Sequence, residues 1–111
     1  MSSAATAWTF LLVAGALEVT ATTLYRYTES LSRVGPTVAF FLVGFLSFYC
    51  LNRSLAAIPI GTAYAVWTGI GAAGTAIIGI AFHHEPATTL RLVLLTLLIG
   101  SIVGLKLVSA D

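Results

Sequence analysis

The sequence predicts an all-α integral membrane protein with four transmembrane helices per subunit, paired as an antiparallel, dual-topology dimer. Three observations carry this. The 111 residues are 59% hydrophobic and 8% charged, where a soluble domain carries about 25% charged residues, and the mean hydropathy is +1.02. The apolar residues fall into continuous runs near the length of about 20 that crosses a hydrocarbon core of about 30 Å; alternating runs, which a β-barrel needs, are not found. The basic residues are split almost evenly. Arg53 and Lys106 fall on the side of the termini, and Arg26, Arg33 and Arg91 on the other. So even a split fixes no orientation, and two copies inserted oppositely would supply the inverted repeat that midplane transport sites use.

The expected spans are residues 7–25, 36–55, 60–82 and 89–108, forming one four-helix transmembrane domain over 1–111. The first run follows a start without basic residues, holds Glu18, and is followed by further spans, so it reads as a retained helix and not a cleaved signal. The linkers 26–35, 56–59 and 83–88 are short, and Pro36, Pro59 and Pro86 are expected at helix starts, where a missing N–H is harmless. Cys50 is the single cysteine and lies in an apolar run, which excludes an intrachain disulfide. A net charge of +1 gives no reason to expect a nucleic-acid partner. No Ser/His/Asp arrangement or Gly-rich phosphate loop is present, so the chain does not read as an enzyme, and neither cofactor nor ATP is implied.

The housing is organised around Glu18, inside the stretch LLVAGALEVTATTL of residues 11–24. A carboxylate at mid-membrane costs roughly 2.5–3.5 kcal/mol on insertion scales, and intramembrane ionisable residues mark ion or proton pathways. The alternative is a protonated carboxyl bonded to a neighbouring helix. Ala14, Gly15, Ala21, Thr22 and Tyr25 share its helix face. Such small residues leave room for a ligand or let helices approach closely. A carboxyl without a fixed counter-ion can hold a proton or an organic cation. Competition between the two would couple cation export to proton uptake.

In the third run, Tyr64 and Trp67 lie three apart and form an aromatic wall for a cation or simple packing. Gly69 and Gly71 weaken the helix there and form a candidate hinge; Gly74 and Gly79 read as packing residues. Ser47 is a polar candidate for the same cavity. In the fourth run, Gly100, Ser101 and Gly104 form a small-residue pattern suited to a dimer seam. Lys106 can reach the interface. His83, His84 and Glu85 read as a solvated loop, with no second cluster to complete a metal site.

Glu18-Val19, Thr22-Thr23-Leu24, Arg33, Pro36 and above all residues 59–71, PIGTAYAVWTGIG, resemble the small multidrug resistance family over about residues 8–106. The resemblance implies an antiparallel dimer in the bacterial inner membrane and proton-coupled antiport of small organic cations, with Glu18 as the shared site. It implies that Tyr64 and Trp67 are aromatic binding residues, Gly69–Gly71 the third-helix kink, and the fourth helix the dimerisation arm. Gly15, Ser47, Trp67-Thr68-Gly69 and Lys106 look like the guanidinium-exporting branch. Ala21-Thr22-Thr23, with Ala21 where that branch usually has Trp, looks like the exporters of quaternary ammonium drugs. Some members pair as heterodimers of unlike chains, so a paralogous partner is the alternative to a homodimer. Two other functions fit a four-span chain: a small dual-topology ion channel, and a non-transporting membrane subunit.

Overall fold

The computed structural model describes residues 3–109, which form four α-helices and no strand. These are α1 (Ser3–Arg26), α2 (Val34–Ser54), α3 (Ile60–Phe82) and α4 (Thr89–Val108). All four are long and apolar enough to cross a membrane. α1 begins four residues before the expected span and ends one after it. α2 begins two residues early and ends one early. Pro36 is therefore the third residue of α2, still inside the first turn, whose N–H groups have no intrahelical acceptor. Pro59 is the N-cap residue of α3. Pro86 corrects the expectation. It lies in the last loop, three residues before α4, and α4 is instead capped by Thr88, whose hydroxyl accepts from the Arg91 N–H at 3.2 Å.

α1 is the hub. It packs along α2 and α3, whose backbones barely approach each other, and the α4 backbone runs beside α3. The core gathers at one end of the bundle, from Ala7, Trp8, Leu11 and Ala14 of α1, Cys50 and Leu51 of α2, and Ala63 and Val66 of α3. Cations close that end over aromatic rings. The Arg53 guanidinium lies 4.8 Å from the Phe10 ring centre, and the Lys106 ammonium 5.0 Å from that of Trp8. Large apolar side chains elsewhere are exposed, and no residue of α4 is buried. In water such faces would be aggregation sites; in a bilayer, acyl chains cover them.

The α1–α2 connection is locally strained. Thr28, fully buried, donates its hydroxyl to the Tyr25 carbonyl at 2.8 Å and accepts from the Leu31 N–H at 3.1 Å. Between them the chain runs left-handed, with φ of 49° at Glu29, 62° at Ser30 and 68° at Leu31. A left-handed conformation costs an L-residue roughly 1–2 kcal/mol, least for Asn, whose side chain bonds locally. Leu31→Asn should therefore stabilise the subunit by about 1 kcal/mol, read as a raised thermal unfolding midpoint in detergent.

Candidate functional site

At the end of the bundle away from the core, the helices part around a cleft of about 580 Å³. It is lined by Glu18 and Thr22 of α1, Phe40 of α2, Thr68, Gly71 and Thr75 of α3, and, at the mouth, Glu85 and Arg91. α1 and α3 approach closely here because glycines face side chains. A Cβ on Gly71 would lie 2.9 Å from Cγ of Glu18, and one on Gly15 would lie 2.7 Å from Cγ2 of Ile70. A Cβ on Gly74 would overlap Val19. Gly71 thus makes the space that the Glu18 side chain occupies.

The Glu18 carboxyl has no hydrogen-bond or ionic partner among the described residues; only its backbone carbonyl is engaged, by the Thr22 hydroxyl at 2.8 Å. A structural carboxyl tied to a neighbouring helix of the same subunit would show such a partner. Thr68 likewise turns its hydroxyl back to its own helix, donating to the Tyr64 carbonyl at 2.8 Å. The Thr75 hydroxyl, buried in the cleft wall, has no hydrogen-bond partner among the described residues.

The other sequence-nominated residues fall in different places. Ser47 is fully buried outside the cleft lining, where it joins three helices. Its hydroxyl donates to the Ala14 carbonyl of α1 at 2.7 Å and accepts from the Trp67 indole N–H of α3 at 2.9 Å. It fixes the indole plane. Tyr64 stands 5.6 Å from Trp67, ring centre to ring centre, and half exposed. It lines a separate groove of about 200 Å³ with Phe48, Leu51, Asn52, Leu55 and Ile60. Within one subunit the Glu18 carboxyl and the Tyr64 ring do not share a cavity. α3 is helical straight through Gly69 and Gly71, and a Cβ on Gly69 would lie 2.9 Å from Ile102 of α4. Gly100 and Gly104 have no heavy atom within 4 Å of a built Cβ, and the Ser101 hydroxyl donates to the Leu97 carbonyl at 2.9 Å.

The last loop is largely solvent-exposed, as expected, and it also carries an ordered network. Glu85 accepts from the Arg91 guanidinium at 2.8 Å, with Arg26 of α1 at 3.8 Å from its other oxygen. Arg91 also donates to the Pro86 carbonyl at 2.7 Å, and the Tyr27 hydroxyl and His83 Nε2 share a hydrogen bond of 2.8 Å. The available signal in the sequence was that Arg26, Glu85 and Arg91 border spans that meet at the same membrane face. The hydrogen bond from Arg91 holds the Glu85 carboxyl below its ordinary pKa. A lowered folded-state pKa stabilises above the unfolded-state value, and that contribution is lost as pH falls through the folded one. Acidification below the ordinary carboxylate range should thus lower the melting temperature less in Glu85→Gln than in the unaltered chain.

The fold and site define a class: a small four-span membrane protein built around one unpaired intramembrane carboxyl that opens into a cleft. The family model for the Small Multidrug Resistance protein matches residues 6–98. The chain belongs to that family. It is 43% identical over 103 residues to a guanidinium exporter of Yersinia pseudotuberculosis, covering 93% of this chain and 99% of the relative. It is 44% identical over 100 residues to a guanidinium exporter of Escherichia coli K12, covering 90% and 95%. A guanidinium exporter of Salmonella typhimurium is 43% identical over 100 residues, with the same coverage.

Proposed function

We propose that the chain exports small organic cations across the bacterial inner membrane in exchange for protons, working as an antiparallel dimer with Glu18 as the shared binding group. The observation that carries this is the Glu18 carboxyl, set within a span, lining the cleft, and without an intrachain donor. In a low-dielectric site a bare carboxylate is costly, so it is occupied by a proton or by a cation. The cation leaves as the proton binds, and the proton leaves as the next cation binds. When conformational exchange is confined to the two neutral states, downhill proton movement drives cation export.

The relatives' names favour guanidinyl substrates. A planar guanidinium offers paired N–H donors that match a carboxylate bidentately. Ala21 is buried in the packing of α1 and lies outside the cleft lining, but the small side chains of Ala72 and Ala76 within it leave room for alkyl groups, so quaternary ammonium cations are admitted as well. Gly15, close to Ile70, holds α1 against α3, and Thr22 lies one turn from the carboxyl. Ser47 orients the Trp67 indole, and Trp67 with Tyr64 supplies a cation–π wall worth roughly 2 kcal/mol when desolvated. Because Tyr64 opens to another groove within one subunit, the complete wall is contributed by both copies. Gly69 and Gly71 serve as the hinge.

The test is solute uptake into proteoliposomes containing this chain alone. With the lumen acidic, the vesicles should accumulate guanidinium, and added guanidinium should in turn release luminal protons. Phenyltrimethylammonium should compete with it. Cation current without any proton requirement would indicate a channel and reject the exchange reading; activity only with a paralogous chain would replace the homodimer by a heterodimer.

A further inference from the structure

The Glu18 cleft does not end at Glu18. Along α1 the same helix face runs from Glu18 through Thr22, which lines the cleft, to Arg26 beyond the lining, each one turn further on. Along α3 it runs from Gly71 through Thr75, both in the lining, to Gly79 beyond it. The two stripes run side by side: Gly71 faces the Glu18 side chain, and Gly79 faces the Glu85 carboxylate so closely that a Cβ there would overlap it. Gly71 and Gly79 are eight residues apart, about 12 Å at 1.5 Å per residue. Midway, the Thr75 hydroxyl is buried without a hydrogen-bond partner among the described residues. The backbone holds the far end in place, because the N–H groups of His83 and Glu85 both donate to the Gly79 carbonyl, at 3.0 and 3.1 Å.

Among the described residues, only one oxygen of the partly exposed Glu85 carboxylate accepts a hydrogen bond. Its Oε1 takes the Arg91 hydrogen bond at 2.8 Å. Its Oε2 has Arg26 at 3.8 Å, an ionic contact beyond hydrogen-bonding distance. A carboxylate oxygen accepts about two hydrogen bonds, so Oε2 has room for an N–H donor. Glu85 lowers the charge of the Arg26–Glu85–Arg91 cluster from +2 to +1, which weakens the repulsion that an approaching cation meets.

We propose that Glu85 is an outer cation-binding station of the same cleft, taking guanidinyl or other N–H-bearing organic cations on Oε2 in place of Arg26, before or after their passage along the Thr22–Thr75 wall to Glu18. The chemistry is that of Arg91 itself, a guanidinium already held by this carboxylate. Arg91 keeps Glu85 oriented while the loose Arg26 contact yields. The inference extends the exchange reading outward, and it is tested by a measurement that does not require transport.

Glu18→Gln removes the inner site. In that variant, in bicelles, guanidinium chloride should still move the side-chain carboxyl carbon resonance of Glu85 saturably, and sodium chloride at equal ionic strength should not. In the transporting protein, Glu85→Gln should raise KM for guanidinium about tenfold with the maximal rate kept within about twofold, and Glu85→Asp should restore KM. A purely structural ion pair would lower the melting temperature and leave KM in place. A Glu85 resonance that ignores guanidinium, or answers sodium equally, overturns the outer station. A guanidinium-specific shift in a chain that transports nothing would sustain the outer station as a binding site and remove the exchange reading.

Discussion

Glu18→Gln should abolish proton-driven cation exchange, by at least about a hundredfold, while leaving a folded four-helix subunit. A hundredfold corresponds to about 2.7 kcal/mol at 1.36 kcal/mol per decade, comparable with the roughly 2.5–3.5 kcal/mol that a mid-membrane carboxylate costs on insertion scales. The amide has nearly the shape of the carboxyl, so the Gly71 recess still receives it. No intrachain hydrogen bond is lost, because the carboxyl makes none among the described residues. Loss of function should therefore appear without loss of fold, with circular dichroism and melting temperature at or above those of the unaltered chain. The amide carries no exchangeable charge. It cannot alternate between proton and cation, and both arms of the proteoliposome assay should go silent together. Proton-driven uptake at the unaltered rate in this variant would remove Glu18 from the centre of the reading.

Gly71→Val tests the same site from the other side. The added branch would fill the recess of the Glu18 side chain, so exchange should fall although the carboxyl remains.

What the sequence made legible is what a one-dimensional pattern carries. Four apolar runs become four helices because a bilayer tolerates no unsatisfied backbone, and their lengths follow from its thickness. Glu18 stands out because an acid inside such a run has few structural explanations. The roles of Ser47 and Glu85 depend instead on how helices rotate against each other, which hydropathy does not specify. Ser47 reads as a cavity hydroxyl, yet its rotation on α2 puts it between Ala14 and Trp67, where it orients the indole. Glu85 reads as solvated and does stay partly exposed; what hydropathy could not show is that the chain reversal after Phe82 folds it back over Gly79 and between two arginines. Tyr64 and Trp67 do meet on one face as their spacing requires, with their rings tilted by 54°. Spacing could not show that the Tyr64 groove lies apart from the Glu18 cleft. Gly74 and Gly79 do pack, but Gly79 packs against a carboxylate.

The second large effect separates the subunit from its assembly. Gly100→Leu combined with Gly104→Leu should abolish pairing and exchange, each by at least about a hundredfold, while leaving the subunit fold unchanged. Apart from the helix's own backbone, neither glycine has an atom within 4 Å of a built Cβ, so the first carbon of each new side chain enters open space. Two copies that approach through these small residues would be held apart by two isobutyl groups on each helix, losing the close backbone contact that drives helix association in lipid. A hundredfold weaker dissociation constant is about 2.7 kcal/mol, a modest demand on that much displaced contact. Gly69→Leu is the contrasting control. Its side chain would collide with Ile102 and Leu98 of α4, so it should lower the melting temperature, which the paired substitutions should not. Cross-linking in liposomes reads the dimer, and the guanidinium assay reads exchange. Retained cross-linking with retained exchange in the doubly substituted chain would move the seam off this face of α4. Retained cross-linking with lost exchange would make these glycines part of the moving machinery and not of the seam.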